Sequence, residues 1–158
     1  MLRIETLQTE RHLHGTFDCG EPSLNRYLQE NAARAVKSNL ARVYVLCEED
    51  ARVLGYYSLS AATVLYDDVP AALTKKLLKY PQLPCILMGR LAVGRGEQGK
   101  QFGALLLADA YARAQQTAES IGVKLLIVDA LHDKAAQFYV AYGFTPLPDQ
   151  PLRLFRTL

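Results

Sequence analysis

A chain of 158 residues with 50% hydrophobic side chains is the size of one domain and can bury a sizeable core. A net charge of +2 is too small to announce a nucleic-acid partner by itself, and no apolar run approaches the roughly 18 to 20 residues of a membrane span. Three widely spaced cysteines, Cys19, Cys47 and Cys85, form no CxxC pair and have no histidine at ligand spacing, which argues against a disulfide framework or a zinc site. The expectation is one cytoplasmic domain over residues 1–158, with no metal and no membrane association.

In chain order, "MLRIETLQTERHLHG" alternates and carries charge throughout, unlike a signal peptide, and residues 2–7 read as an opening strand. "FDCGEPSLNRYLQENAARAVKS" reads as a loop running into a helix, with Pro22 suited to the first turn. Leu24, Tyr27, Leu28, Ala32 and Ala35 give that helix an apolar side, and Arg34 and Lys37 project from its end. "ARVYVLCEED" and "RVLGYYSLSAATVL", separated by an acidic turn, predict an antiparallel hairpin. "YDDVPAALTKKLLKYPQLP" predicts a short helix between prolines, and "CILMGRLAV" a buried strand. "GALLLADAYARAQQTAESIG" is the strongest helix, with Gly122 placed as its stop. "VKLLIVDA" is a nearly uninterrupted apolar strand, as inside a mixed sheet. "DKAAQFYVAYGF" predicts a short helix ending at Gly143, and "PLRLFRTL" a last strand. Interleaved strands and helices indicate an α/β sheet covered by helices.

Two local features carry chemistry. In "LAVGRGEQGKQFGALLLADA" a strand hands over to a long helix through Gly96, Gly99 and Gly103, with Arg95 and Lys100 beside them. A helix N-terminus offers unpaired N–H groups and the positive end of the macrodipole, so an anion fits there; the same glycines would also serve a plain turn. In "AAQFYVAYGF", Phe138 and Tyr139 are expected to face opposite ways, with Tyr142 packing close to Gly143. Buried tyrosines are mostly packing residues, and chemistry at Tyr139 is the sharper alternative.

Strand, Gly/Gln loop, long helix, strand and then "A-x-x-F-Y-x-x-x-G-F" resemble the acetyl-CoA site of the GNAT family of N-acetyltransferases. "FDCGEPSLNRYL", "GYYSLS", "YPQLPCILMGRLAV", "QGKQFGALLLADA" and "PLRLF" extend the resemblance along the chain to the acetyltransferase toxins of bacterial toxin–antitoxin modules. The resemblance implies an α/β GNAT fold: a mixed, mostly antiparallel central sheet with a splayed strand pair, flanked by helices. It implies an N-acetyltransferase that uses acetyl-CoA to acetylate the α-amine of aminoacyl-tRNA and so blocks translation. It further implies a ribbon-helix-helix antitoxin as partner, and a homodimer. Leu91, Ala92 and Val93 would pair with the pantetheine arm, and Arg95, Gln98, Gly99, Lys100, Gln101, Phe102 and Gly103 would hold the pyrophosphate. Tyr139 matches the family tyrosine beside the sulfur. Arg34, Lys37, Arg42 and Arg90 would contact tRNA.

The chain departs from the family pattern at Gly96, where Arg or Gln is expected, and at Gln101, where Gly or Ala is expected; His132 stands where many relatives carry Asn. Backbone donors survive these changes unless Gln101 needs a positive φ. The expected reaction is direct attack of a neutral amine on the acetyl carbonyl. A lysine, with a pKa of about 10.4, needs a base, whereas an α-amine at about 7.7 to 8.0 is already partly neutral. Glu97 and His132 are the nearest candidate bases by sequence, and neither stands out. An ordinary acetyltransferase for a small amine or a protein N-terminus, and a non-catalytic coenzyme A binder, remain alternatives at this point.

Overall fold

The computed structural model describes all 158 residues. Its seven strands are β1 (Arg3–Thr6), β2 (Arg42–Cys47), β3 (Val53–Leu65), β4 (Gln82–Val93), β5 (Leu125–Asp129), β6 (Thr145–Leu147) and β7 (Gln150–Thr157). They are ordered β1-β2-β3-β4-β5-β7-β6 in one sheet. The helices are α1 (Pro22–Arg26) and α2 (Ala32–Lys37), joined by a π-helical turn over Tyr27–Asn31, then α3 (Ala71–Thr74), α4 (Phe102–Ala118) and α5 (Asp133–Ala141). The sheet is mixed: β4 and β5 run parallel, while β1–β2, β2–β3, β5–β7 and β6–β7 are antiparallel.

The chain divides into two compact units, Met1–Ser60 with Gly89–Ala110, and Ala61–Met88 with Tyr111–Leu158. The core of the first gathers Phe17, Leu28, Val43, Val45 and Tyr56, with Leu24, Ala35 and Val36 of the early helices packed against it. The core of the second gathers Val64, Leu83, Cys85, Leu125, Ile127 and Phe155. β5 is buried at four consecutive positions, Leu125 to Val128, which is why its sequence shows no alternation. Leu106, Ala110 and Ala114 of α4 are fully buried at four-residue spacing.

Several local expectations need correction. α4 ends at Ala118, and the Glu119, Ser120 and Ile121 N–H groups close turns onto the Gln116 and Thr117 carbonyls, so Gly122 lies beyond the stop. β6 is an additional strand at the sheet edge, where Pro146 needs no ladder donor. The helix over 22–37 is interrupted by the π-helical turn, in which the Ala32 N–H reaches the Tyr27 carbonyl.

His12 ties the N-terminal segment together. Its Nδ1 accepts the Gln8 N–H at 2.9 Å, and its Nε2 lies 2.8 Å from Glu5 Oε1, with the ring fully inside the protein. Burial, and then the charges of Arg11 and Arg3, push its pKa below the ordinary histidine value. A native histidine with a depressed pKa stays neutral while its unfolded counterpart takes up a proton, so its stabilisation is present above about pH 6.5 and is lost as pH falls through the lowered folded value. Urea unfolding of the wild type between pH 7.5 and about 5.5 is expected to show falling stability on the acid side. In His12→Gln that acid-side loss should shrink; an unchanged slope would remove His12 as its source.

Candidate active site

β4 pairs with β5 only from Cys85 to Met88, opposite Leu125 to Val128, and then runs on to Val93. This last stretch carries Leu91, Ala92 and Val93. β3 approaches it so closely at Gly55 that a Cβ there would lie 2.8 Å from the Ala92 carbonyl oxygen and 2.9 Å from Leu106 of α4. Only glycine fits at that crossing, and the contact fixes β4 against the start of α4.

The turn that follows carries the candidate anion-binding residues. Gly94 donates to the Leu54 carbonyl at 2.8 Å, and a single 3₁₀ turn covers Arg95–Glu97. Gly99 has φ +85° and Gln101 has φ +65°. The first N–H of the helix to find a carbonyl is that of Leu105, which bonds Gln101 at 3.2 Å; those of Gln98 to Ala104 donate to no backbone carbonyl. Left-handed residues in a turn can aim successive N–H groups at one side, and a helix start adds further donors, a combination that suits phosphate oxygens. The positive φ at Gln101 answers the question its sequence poses: the pattern's glycine is absent, yet the backbone adopts the glycine conformation, at a cost of about 1–2 kcal/mol for a residue with a Cβ. Gly96 is exposed and a Cβ there would meet nothing within 4 Å, so the missing Arg or Gln leaves the turn intact.

The cations beside this turn are already paired. Arg95 Nε bonds Asp18 Oδ2 at 2.8 Å, and Lys100 Nζ bonds Glu97 Oε2 at 2.8 Å. Arg52 holds the other Glu97 oxygen at 3.0 Å. Lys100 first, and Arg52 with it, hold the Glu97 carboxyl below the usual carboxylate range, which makes it a poor base. Asp18 is a residue that the spacing argument missed. Its Oδ1 accepts the Gly20 N–H and the Asn25 amide, each at 2.9 Å, so the loop ahead of α1 is knitted to Arg95. Gln98 adds a side-chain bond to the Cys19 carbonyl at 3.0 Å. The Asp-Cys-Gly sequence is an Asx-turn signal that points to this loop.

In the second unit, α5 carries Tyr139. His132 caps the helix, its Nδ1 accepting the Ala135 N–H at 3.2 Å; this is a job that Asn also does and it accounts for the substitution. Gly143, at φ +95°, closes the other end as expected. The Tyr139 ring is 6% exposed and packs edge-on to Phe144 at 5.8 Å and to Phe138 at 5.3 Å, so Phe138 and Tyr139 touch rather than face apart. Tyr142 is 43% exposed and packs on Phe138 at 5.0 Å, a surface contact rather than a core one. Burial, then the charge of Asp129, pushes the Tyr139 phenol well above its ordinary pKa. That direction favours the protonated hydroxyl, a hydrogen-bond donor.

Arg34 and Lys37 are exposed on α2 without a carboxylate partner. Arg42 instead folds back onto its own turn, bonding Asn39 Oδ1 at 2.8 Å and the Ala41 carbonyl at 3.3 Å. Arg90 is exposed and lies over the Tyr27 ring. Glu5, His12 and Cys47 place donor atoms within 4.8 Å of one another, as a metal cage would. Metal ligation through His12 Nε2 would move the ring proton to Nδ1, against the Gln8 N–H, and Arg3 and Arg11 already pair with Glu5. That donor set fits a proton-shared network rather than a cation.

The sequence profile of the acetyltransferase (GNAT) family matches residues 4–144. Over 139 residues, 88% of this chain and 82% of the relative, the chain is 41% identical to a tRNA-acetylating toxin of Mycobacterium tuberculosis. The toxin AtaT in complex with acetyl-methionyl-tRNAfMet superimposes with a TM-score of 0.92 at 33% identity, covering 99% of this chain and 95% of that one. A tyrosine-to-phenylalanine mutant of AtaT, bound to acetyl-CoA and the C-terminus of the antitoxin AtaR, does so with a TM-score of 0.83 at 31% identity, covering 99% and 92%.

Calorimetry with acetyl-CoA tests the anion site. Gly99→Glu should abolish measurable binding, while Gly99→Ala, which adds only φ strain, should retain a weakened affinity; unchanged binding in the glutamate variant would refute the placement. Gln101→Gly should raise thermal stability by up to about 1 kcal/mol, because relief of the left-handed strain outweighs the entropy of the added glycine.

Proposed function

The chain belongs to the acetyltransferase (GNAT) family, and from that membership we propose that it acetylates the α-amine of aminoacyl-tRNA and thereby acts as a translation-blocking toxin. The run of N–H groups from Gln98 to Ala104 without carbonyl partners is the observation that carries the cofactor half of this reading. The acceptor half draws support from the 41% identical tRNA-acetylating relative and from AtaT with its acetylated methionyl-tRNA.

Acetyl-CoA fits the site by its chemistry: a pyrophosphate needs several convergent N–H donors, and the turn offers them with no reorganisation. When bound, it supplies an acetyl thioester. The backbone of Leu91 to Val93 holds the pantetheine arm, and the amides of Gln98 to Gly103, with Arg95 and Lys100, hold the pyrophosphate. The acceptor amine would form the new N–C bond as the C–S bond breaks, its surplus proton passing to solvent and coenzyme A leaving as the thiolate, towards which the Tyr139 hydroxyl would donate. At unperturbed values, transfer from a phenol at about 10 to a thiolate at about 8.5 is uphill by about 2 kcal/mol, and the raised pKa of Tyr139 increases that gap. Tyr139 therefore acts chiefly by donating a hydrogen bond to the sulfur as charge develops there.

The acceptor must arrive neutral, because both candidate bases are committed elsewhere, Glu97 to Lys100 and Arg52 and His132 to the cap of α5. This favours an α-amine over a lysine side chain. Arg34, Lys37 and Arg90 supply phosphate contacts for the acceptor stem, with Arg42 available only after leaving Asn39. A ribbon-helix-helix antitoxin would neutralise the activity, and the working unit would be a homodimer in the cytoplasm. The binding of AtaT to the AtaR C-terminus supports an antitoxin partner, and no helix here is long and apolar enough to cross a membrane.

Purified protein with labelled acetyl-CoA should acetylate charged tRNA efficiently. Product on free amino acids and polyamines, with none on charged tRNA, would replace this reading with that of a small-amine acetyltransferase. Tyr139→Phe should keep its fold and its acetyl-CoA affinity while losing about 10²- to 10⁴-fold in transfer rate. An equal rate at saturating acetyl-CoA would take Tyr139 out of the mechanism.

A further inference from the structure

Arg90 is the residue of β4 directly before Leu91, and its guanidinium carbon lies 3.7 Å from the centre of the Tyr27 ring. Tyr27 is 7% exposed. Tyr56 stacks beneath it at 6.2 Å with the planes inclined by 13°, Phe17 meets Tyr56 edge-on at 5.5 Å, and the Tyr56 hydroxyl donates to the Leu24 carbonyl of α1 at 2.7 Å. Tyr27 also opens the π-helical turn, a feature found frequently at functional sites. Arg90 itself makes no hydrogen bond or ion pair within the protein.

A guanidinium held through its face keeps all five in-plane N–H donors available, whereas one held by a carboxylate, as Arg95 is by Asp18, has spent part of that set. We propose that Tyr27 is a positioning residue: its ring holds the Arg90 guanidinium in one orientation, with the donor edge presented to a phosphate diester of the acceptor RNA. The assignment rests on the aminoacyl-tRNA reading above. It explains why an exposed arginine sits on a buried, doubly supported tyrosine, and why lysine, a point charge with no planar face, would be a poor replacement.

The test measures KM for charged tRNA, KM for acetyl-CoA, kcat and thermal midpoint in Tyr27→Phe, Tyr27→Leu, Arg90→Lys, Arg90→Ala and the Tyr27→Leu/Arg90→Ala pair. Tyr27→Phe, which keeps the ring face, should match the wild type. Tyr27→Leu and Arg90→Lys should each raise KM for charged tRNA by about 2- to 5-fold, the range such a contact is worth at an exposed site, with KM for acetyl-CoA unchanged. Tyr27→Leu should add nothing once Arg90 is alanine, and only the Arg90→Ala variants should lower the salt slope of RNA binding, by about one. Arg90→Lys is an exposed change, so it decides the matter even if Tyr27→Leu fails to fold. Wild-type KM for charged tRNA in Arg90→Lys, or a rise confined to acetyl-CoA, would overturn the assignment while leaving the substrate reading in place. Wild-type protein that never acetylates charged tRNA would overturn both.

Discussion

The backbone amides between Gln98 and Ala104 set the constraint on which the proposed site depends. An α-helix leaves its first N–H groups without carbonyls, and this chain extends the deficit backwards through a turn bent by left-handed residues at Gly99 and Gln101. An exposed turn can leave those donors to solvent, but the geometry also pre-pays the ordering that an anion would otherwise demand. Gly55 contributes from the opposite strand by letting β3 close onto Ala92 and Leu106, so that the end of β4 and the first turn of α4 share one support.

Side-chain charge is secondary at this site. Arg95 and Lys100 stand in the position expected of phosphate ligands, yet each is neutralised by a carboxylate, Asp18 or Glu97, at 2.8 Å. These pairs are exposed on the cation side and contribute little to stability. Their effect is to place the arginine and lysine close to the amides without building a strongly basic surface there. The same economy removes Glu97 from the list of bases, and His132 is removed by its capping role. On the proposed reading, the pairing of Glu97 with Lys100 and Arg52 favours an amine that is already nucleophilic near neutral pH.

How much of this is legible in the sequence varies with the range of the interaction that decides it. Apolar run and stripe suffice for β5 and α4, because burial on both faces or on one face leaves a direct period. The glycine signal is reliable at Gly143, where φ is positive, and misleading at Gly122, where α4 has already unwound onto Gln116 and Thr117. No local pattern marks the π-helical turn at Tyr27, whose ring contacts, Tyr56 and Arg90, come from far along the chain. The left-handed Gln101 is equally silent, since a non-glycine residue there is chosen against its own preference. The candidate segment from Leu91 to Gly103 and the candidate Tyr139 are named from residue order, but the commitments of Glu97 and Arg95 are not, because their partners Arg52 and Asp18 are brought to them only by the folded chain.

Amide-resolved NMR during titration with acetyl-CoA tests the central claim most directly, because it observes the donors themselves. Saturable shifts at Gln98 to Gly103, with smaller ones at Leu91 to Val93 and none at Arg34 or Lys37, are the predicted result. Shifts gathered at the basic end of α2, with the amides of Gln98 to Gly103 unmoved at saturation, would contradict it.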